Sequence, residues 1–255
     1  MKVGMPVLYE YNSVLENIEL AKALGLDFIE LNLNFSYCRQ QLENPEELNH
    51  LLITNHLEAT LHFYDEADFA SYPEVVDAYM LLLEKYATLG AKAKIKLINI
   101  HINEGPIVTI SGQKNYIYEK EYTTYIENIK QRLHQAREIC ERNHMDLVLE
   151  NVYVPHHIQK TYVELWKEGF DFNYDIGHDN NDGDRLQKVL QTTPIKFKEY
   201  HIHDGNRKTC HLALGEGTID ISKFKREAEK NKAYVVLEVK SSEDLRKSVK
   251  YFNNL

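Results

Sequence analysis

Several acidic side chains in this sequence follow short apolar runs, at the points where buried strands would end. Glu150 follows Leu-Val-Leu, and Glu238 follows Val-Val-Leu. A carboxylate at the end of a buried strand loses its hydration, so it needs a cation or hydrogen bonds in return. Lys240, two residues beyond Glu238, is one nearby cation. Separate ion pairs within the structure and a shared cation site are both compatible with these groups.

Imidazole and carboxylate groups follow the other apolar runs as well. In chain order the ends of these runs carry His62, His101, Glu150, Asp175 with His178 beyond it, His201 and Glu238. Three carboxylates that converge with one imidazole on a common mouth would repel one another, and a divalent cation is the simplest remedy. This donor set suits Mn²⁺, Mg²⁺ or Co²⁺ and does not exclude Zn²⁺. The remaining histidines, including His211, are then substrate contacts, supports for the ligands or ligands of further ions.

The stretch 200–220 concentrates polar groups behind a predicted strand. His201 and His203 would point to one face of that strand, and Arg207 and His211 follow in a polar loop. On its own this stretch fits either a solvated loop whose histidines cap backbone groups or a ligand site.

Short apolar segments alternate with helical patterns along the whole chain. The predicted strands cover residues 3–8, 28–34, 60–64, 96–103, 146–152, 171–175, 198–203 and 234–239. The predicted helices cover residues 12–24, 45–56, 73–89, 122–143, 157–167, 184–190, 221–230 and 243–252. Eight strand–helix units are typical of a parallel sheet closed by crossover helices. No linker rich in serine, proline or glycine divides the chain, so one domain over residues 1–255 is expected.

The alternation within the predicted strands favours a closed barrel over an open sheet. Glu30 and Asn32 share one face of their strand, and Asn99 and His101 share one face of theirs, while isoleucines and leucines occupy the opposite faces. The strands of an open doubly wound sheet are covered by helices on both faces and should be apolar on both. In a barrel, apolar side chains point outward to the helices and polar ones line the lumen. We therefore expect a single (β/α)8 TIM barrel.

The composition limits the classes of partner. The chain has 255 residues, 43% of them hydrophobic and 27% charged, and its formal net charge of −9 argues against a surface built for nucleic acid. No apolar run approaches the length of a membrane span, and the first residues do not fit a signal peptide. The three cysteines, Cys38, Cys140 and Cys210, are far apart. A reduced cytoplasmic protein without structural disulfides is expected, and a homo-oligomer is left open.

Six fragments, in this order along the chain, resemble the xylose-isomerase-like barrel superfamily. They are Asn-Ile-His-Ile-Asn-Glu-Gly at 99–105, Leu-Glu-Asn at 149–151, Asp-Ile-Gly-His at 175–178, His-Ile-His-Asp at 201–204, His-Leu-Ala-Leu-Gly-Glu-Gly at 211–217 and Leu-Glu at 237–238. Within the superfamily the chain is most similar to the sugar phosphate isomerase/epimerase proteins, which are related to endonuclease IV. The resemblance extends over residues 28–238 and is much less specific for substrate than for fold.

The ketose 3-epimerase branch of this superfamily implies one divalent ion. Its ligands would be Glu150, Asp175, His201 and Glu238. His178 would contact substrate oxygens near the reacting carbon, and Arg207, six residues after His201, would contact substrate hydroxyls. The other candidate substrate contacts are His62, His101 and His211.

The endonuclease IV branch implies a cluster of three zinc ions instead. Eight of its nine ligands would be matched, namely by His62, His101, Glu150, Asp175, His178, His201, His211 and Glu238. The ninth ligand, an aspartate two residues before His211, is Thr209 here. A second or third zinc therefore remains open, and the third lacks a carboxylate.

The resemblance and the polar lumen together predict an isomerase or epimerase acting on a small sugar or sugar-like ketose. The metal would chelate adjacent carbonyl and hydroxyl oxygens of a polyol substrate and stabilise a cis-enediolate. Glu150 and Glu238 would remove and return the proton from opposite sides. The alternatives are a zinc phosphodiesterase or apurinic endonuclease, a metal-dependent dehydratase or lyase, and a non-catalytic sugar-binding protein.

Overall fold

The computed structural model describes residues 1–255, and a closed barrel of parallel strands forms its centre. In chain order the strands are β1 (Lys2–Pro6), β2 (Phe28–Asn32), β3 (Glu58–His62), β4 (Leu97–Ile102), β5 (Ile107–Ile110), β6 (Gln113–Tyr116), β7 (Asp146–Asn151), β8 (Asp171–Asp175), β9 (Phe197–Ile202) and β10 (Tyr234–Leu237). The order around the barrel is β1-β2-β3-β4-β7-β8-β9-β10, and β10 pairs with β1 to close it. Strands β5 and β6 form a separate antiparallel hairpin. The (β/α)8 prediction is confirmed.

Helices surround the barrel and connect successive strands. They are α1 (Val14–Ala23), α2 (Ser36–Leu42), α3 (Pro45–Thr54), α4 (Pro73–Lys92), α5 (Ile117–Lys120), α6 (Tyr122–Arg142), α7 (His156–Lys167), α8 (Ile176–Asn181), α9 (Arg185–Leu190), α10 (Ile221–Asn231) and α11 (Ser242–Asn253). Not one of them combines the length and the apolar character that crossing a bilayer requires.

The two faces of the strands pack as the alternation predicts. Ile29 and Leu31 are fully buried in the hydrophobic core. Glu30, between them in β2, points to the opposite face of the strand and is a buried polar residue. Parallel pairing sets His101 beside Glu150 and Asp175 beside His201. The register of neighbouring strands therefore gathers the polar strand ends at one end of the barrel.

The hairpin β5–β6 and the short helices α2, α5 and α8 are absent from the sequence-based assignment. Ser111 and Gly112 at the hairpin turn both adopt positive φ, 50° and 80°, as a two-residue turn of this kind requires. The hairpin exposes Val108 and Ile110, so no alternation between buried and exposed faces marked it as a strand pair.

The loop that follows β9 is built around the buried carboxylate of Asp204. Its two oxygens accept hydrogen bonds from the backbone N–H groups of Gly205, Gly215, Gly217 and Ile219, at 2.8–3.1 Å. A side chain at Gly217 would overlap this carboxylate, so glycine is required there. The Gly-Glu-Gly segment is thus a tight turn that serves the loop, as its short length indicates.

Candidate active site

A cavity of about 410 Å³ opens at the carboxyl end of the barrel, and only two of its 13 lining residues are hydrophobic. Among the predicted site residues, the cavity wall includes His62, His101, Glu150, His178, His211 and Glu238. Asp175 and His201 are completely buried, and their donor atoms lie close to those of Glu150 and Glu238. All of these side chains therefore belong to one connected polar site, as predicted from the strand ends.

Four of them converge tightly enough to share an ion. Glu150, Asp175, His201 and Glu238 each place one donor atom within 4.8 Å of those of the other three. His201 Nδ1 lies 3.3 Å from Glu150 Oε1 and 3.3 Å from Glu238 Oε2. His201 Nδ1 and Glu238 Oε2 are buried and make no hydrogen bond. A donor set of three carboxylates and one imidazole, with these two atoms unpartnered, fits Mn²⁺, Mg²⁺, Co²⁺ or Zn²⁺.

The pKa values of both glutamates of this set are lowered despite their burial. Burial alone would raise the pKa of Glu150, but His201 and His101 hold that pKa well below its usual value. Burial acts on Glu238 in the same way, and Lys240, with the two neighbouring histidines, holds its pKa well below the usual range. The Lys240 ammonium lies 2.6 Å from Glu238 Oε1. The second oxygen of Glu238 remains open toward His201.

The orientation of Glu150 is fixed by two amides that sequence reasoning did not assign to the site. Asn99 Nδ2 and Asn173 Nδ2 both donate hydrogen bonds to Glu150 Oε2. Each amide lies two residues before a predicted site residue, and therefore on the same lumen face of its strand. That spacing is the signal that could have identified them. Glu150 Oε1 is left facing His201.

His203 was also missed as a site residue, and it holds Asp175. Its Nδ1 accepts a 2.7 Å hydrogen bond from the backbone N–H of His211, so its Nε2–H can donate to Asp175 Oδ1 at 3.1 Å. Burial opposes protonation of His203, but Asp175 outweighs it and the pKa of His203 is raised. The position of His203 two residues after His201, on the same strand face, was the available signal.

His201 is positioned from behind by Glu30. Its Nε2 lies 3.3 Å from Glu30 Oε1, and a carboxylate can only accept, so Nε2 carries the hydrogen and Nδ1 is left to bind. This carboxylate–imidazole arrangement is common behind metal ligands. Burial opposes the charged form of His201, but Glu150, Glu30 and Glu238 outweigh it and raise its pKa well above the usual value.

Metal binding is consequently expected to compete with protons. Below the raised pKa of His201 its Nδ1 is protonated, and an ion must displace that proton. Affinity for Mn²⁺ or Co²⁺ should rise with pH, by about tenfold per pH unit for each proton displaced. Titration calorimetry in buffers of different ionisation enthalpy measures both the affinity and the protons released. An affinity unchanged between neutral and mildly acidic pH would contradict protonation at this nitrogen.

Glu199 lies on the same lumen face as His201 and is fully buried, but neither of its carboxyl oxygens has a hydrogen-bond partner. Burial and the nearby Glu30 raise the pKa of Glu199 well above its usual value. Because the folded pKa exceeds the unfolded one, stability is lost as pH rises from the ordinary glutamate pKa toward the folded pKa.

Replacing Glu199 by glutamine is therefore expected to stabilise the protein at neutral pH. The gain is about 1.4 kcal/mol for each unit by which the glutamate pKa is raised, and it should shrink as pH falls toward about 4.3. Urea unfolding of Glu199→Gln and wild type at several pH values measures this difference. Glu229→Gln, at an exposed site, is the matched control and should show no such trend. A destabilised Glu199→Gln variant at neutral pH would count against a buried, uncompensated acid.

Gly177 brings α8 close to His203. A Cβ at position 177 would overlap the His203 imidazole. Gly177→Ala should therefore push His203 away from Asp175, costing about 1–3 kcal/mol of stability and weakening metal binding. Thermal unfolding and metal titration measure the two effects. Gly90→Ala is the control, since the atoms nearest its Cβ belong to ends of flexible side chains. Equal behaviour of the two variants would show that the approach at Gly177 is unimportant.

The other predicted histidines surround the four-residue set. His62 Nε2 lies 3.4 Å from Glu150 Oε2, and His101 Nε2 lies 3.8 Å from Glu150 Oε1. Their Nδ1 atoms lie against the backbone carbonyls of Phe63 and Asp65. The opposite ring nitrogen, Nε2, therefore points into the site toward Glu150. His178 Nε2 lies 3.8 Å from Asp175 Oδ2, and His211 Nδ1 lies 4.0 Å from Glu238 Oε2.

Arg207 is the one predicted contact that the structure does not bring into the cavity. Its guanidinium pairs with Asp184 and donates to the backbone carbonyl of Asn180 at 3.3 Å. Its side chain is half-exposed. The ion pair with Asp184 explains why Arg207 lies outside the cavity. The sequence pattern did not show that these two residues would face each other.

Comparisons with known proteins agree with this architecture. A family model described as "xylose isomerase-like TIM barrel" matches residues 18–255. No curated protein matches the sequence. A D-tagatose 3-epimerase-like protein is similar in structure, with 20% identity and a TM-score of 0.82 over 100% of this chain and 96% of that chain. The 3-keto-D-glucoside 4-epimerase YcjR from E. coli has 16% identity and a TM-score of 0.79 over 100% of both chains. The probable 3-DHS dehydratase AsbF from Bacillus anthracis has 17% identity and a TM-score of 0.74 over 100% of this chain and 99% of that one.

Proposed function

Because the chain belongs to the xylose isomerase-like TIM barrel family, we propose that it is a divalent-metal-dependent enzyme that isomerises or epimerises a small sugar or sugar-like ketose. One observation carries the proposal. Two glutamates, Glu150 in β7 and Glu238 directly after β10, each place a carboxylate oxygen 3.3 Å from Nδ1 of His201. The epimerases among the similar structures support this reaction class.

The residues present fit a single metal ion. Glu150, Asp175, His201 and Glu238 would hold it, and Mn²⁺, Co²⁺, Mg²⁺ and Zn²⁺ all suit these donors. When bound, the ion would polarise the substrate carbonyl and an adjacent hydroxyl and so acidify the neighbouring C–H bond. Asn99, Asn173, His203 and Glu30 keep the four side chains in place through the contacts described above.

The glutamates exchange the proton. One of Glu150 and Glu238 takes the proton from the carbon beside the substrate carbonyl, which leaves a cis-enediolate. The other returns a proton to the opposite face for epimerisation, or to the neighbouring carbon for isomerisation, so that no net proton is consumed. Lys240 holds Oε1 of Glu238, and Oε2 faces His201. We infer that His178 and His211, which line the cavity wall, contact the substrate hydroxyls.

The charges of the cavity favour an unphosphorylated substrate. Lys240 is the only lysine or arginine at the wall, and it is already paired with Glu238. Asp65 and Glu104 add negative charge beside the two catalytic glutamates. A phosphate dianion would gain no unpaired cation here, whereas a neutral polyol can use the imidazoles and amides as hydrogen-bond partners. We infer that the substrate is a free ketose or a related polyol.

Metal content and proton exchange test the proposal together. Protein purified without chelator should carry about one ion per chain. A panel of unphosphorylated ketoses is incubated with it in D₂O, and NMR follows deuterium incorporation beside the carbonyl. Exchange should disappear after chelation and return with Mn²⁺ or Co²⁺. Exchange that persists in fully chelated protein would overturn the metal-dependent mechanism.

A zinc phosphodiesterase is the second candidate, and one observation favours it. Besides the four-residue set, the structure contains further groups with metal-binding geometry. They are His62 with His101 and Glu150, Asp175 with His178 and His203, and His203 with His211 and Glu238. Two or three zinc ions per chain and cleavage of abasic DNA would support this candidate. The net charge of −9 and the single wall lysine count against a DNA-binding surface.

A dehydratase step is the third candidate, since an enolate intermediate also serves elimination. The similarity to a probable dehydratase keeps it open. Product analysis separates it from epimerisation, because only elimination releases water and forms a carbon–carbon double bond in the product.

A further inference from the structure

A groove on the outside of the barrel, between α9 and α10, encloses a cavity of about 630 Å³. It exists because α9 has only six residues, whereas the neighbouring α10 has 11, and the irregular segment 191–196 after α9 does not fill the space beside α10. Its volume is typical of a site for a small organic molecule. We propose that this outer groove binds a small aromatic acid, that is, a flat ring that carries a carboxylate or sulfonate. The inference does not depend on which reaction the barrel performs.

Aromatic rings form the floor of the outer groove. The rings of Tyr174 and Phe197 are stacked with their centroids 4.9 Å apart, and Phe224 meets Tyr174 edge-on at 5.6 Å. Tyr200 adjoins this group, with its ring centroid 5.5 Å from that of Phe197. Leu190 adds a partly buried apolar side chain to the lining. A flat ring in the groove would gain the same offset and edge-on contacts that these side chains make with one another.

The charged groups of the outer groove favour an anion. Lys223 Nζ donates to Gln187 Oε1 at 3.2 Å and lies 4.8 Å from the centroid of the Phe224 ring, and it forms no ion pair. Lys230 forms no ion pair either, and Glu227 is the only carboxylate in the lining. The groove is therefore net positive in a protein whose formal net charge is −9. An anionic group beside Lys223 would supply the missing partner, and its ring would lie next to the aromatic floor.

The outer groove and the proposed metal ligands lie on opposite faces of the same strands. Tyr174 directly precedes Asp175 in β8, and Tyr200 directly precedes His201 in β9. Side chains alternate between the two faces of a strand, so the tyrosines point away from the lumen. The active-site cavity is lined by four carboxylates and one lysine, and its charge repels an organic anion. Binding in the outer groove should therefore be independent of the metal ion.

The test compares two fluorescent probes that share one aromatic skeleton. They are 1-anilinonaphthalene-8-sulfonate and N-phenyl-1-naphthylamine, and only the first carries an anionic group. Fluorescence titration of the full chain should show one site per chain for the sulfonate. The sulfonate should bind about tenfold more tightly than the neutral amine, because only the sulfonate can pair with Lys223. Its Kd should be the same before and after the metal is removed with a chelator.

Three variants locate the bound probe. Lys223→Met should weaken binding of the sulfonate by about tenfold and leave binding of the neutral amine unchanged. Lys188→Met is the matched control, because it removes the same charge from an exposed position on α9 that does not line the groove, and it should bind both probes as wild type does. Leu190→Trp should fill the groove and weaken binding of both probes. Thermal melting of each variant checks that it is folded, and the comparison of the two probes with wild type needs no variant.

Three results would each overturn the proposal. Equal affinity of wild type for the two probes would show that the groove does not select an anion. Sulfonate binding that is unchanged in Lys223→Met would place the probe elsewhere on the protein. Sulfonate binding that disappears on chelation would place it at the metal site. None of these results bears on whether the cavity inside the barrel catalyses the proposed reaction.

Discussion

Glu150→Gln and Glu238→Gln are each expected to lower the rate of conversion of substrate to product by about a hundred- to ten-thousandfold. An amide has the size of a carboxylate but cannot accept the proton from carbon. The two side chains come from β7 and from the residue that follows β10, and both face His201 Nδ1. If one glutamate removes the proton and the other returns it, neither variant can complete an epimerisation.

The measurement is formation of the epimerised or isomerised product at saturating metal, because both residues are also proposed ligands and each variant will bind the ion more weakly. Metal content is determined on the same samples. Glu104→Gln is the matched control, since Glu104 lines the same cavity but is not one of the four converging residues. It should keep most of the rate of product formation. Product formation that survives in both Glu150→Gln and Glu238→Gln would rule out the two-base mechanism.

Asp204→Ala is expected to cost about 3–5 kcal/mol of stability, because it leaves buried backbone N–H groups without an acceptor. The Asp204 carboxylate is buried and accepts from four of them. The loop that it holds carries His211, which lines the cavity wall.

Urea unfolding and thermal melting measure this loss. Asp220→Ala is the control, because Asp220 also accepts a backbone hydrogen bond, from Lys223, but is exposed at the start of α10. Loss of such a helix cap costs typically about 1 kcal/mol. If Asp204→Ala were no more harmful than Asp220→Ala, the carboxylate would not be what holds the loop.

The barrel and most of its polar mouth could be predicted from the sequence because both depend on local patterns. Apolar runs followed by Glu150, Asp175 and Glu238 identify strand ends by type and spacing alone. The parallel barrel then requires those ends to meet. The register that the structure shows, with Asp175 beside His201, completes this expectation.

The supporting contacts could not be predicted, because they depend on which side chains face each other across strands that are distant in sequence. Glu30 and His201 are 171 residues apart, and His203 and Asp175 are 28 apart. The position of Arg207 depends similarly on Asp184, whose direction no local pattern showed. The hairpin β5–β6 is a different case from these distant contacts. Its Ser-Gly dipeptide is a local sequence signal for a turn.

The loop after β9 has an anchored base and a segment that lies beyond it. The antiparallel bridge between Asp204 and Leu212 closes the base, and residues 206–210 lie beyond this bridge. A segment closed at its base can exchange its amino acids while the framework that supports it keeps its shape. Natural variation should therefore concentrate in these five positions, while the glycines that surround the Asp204 carboxylate stay constant.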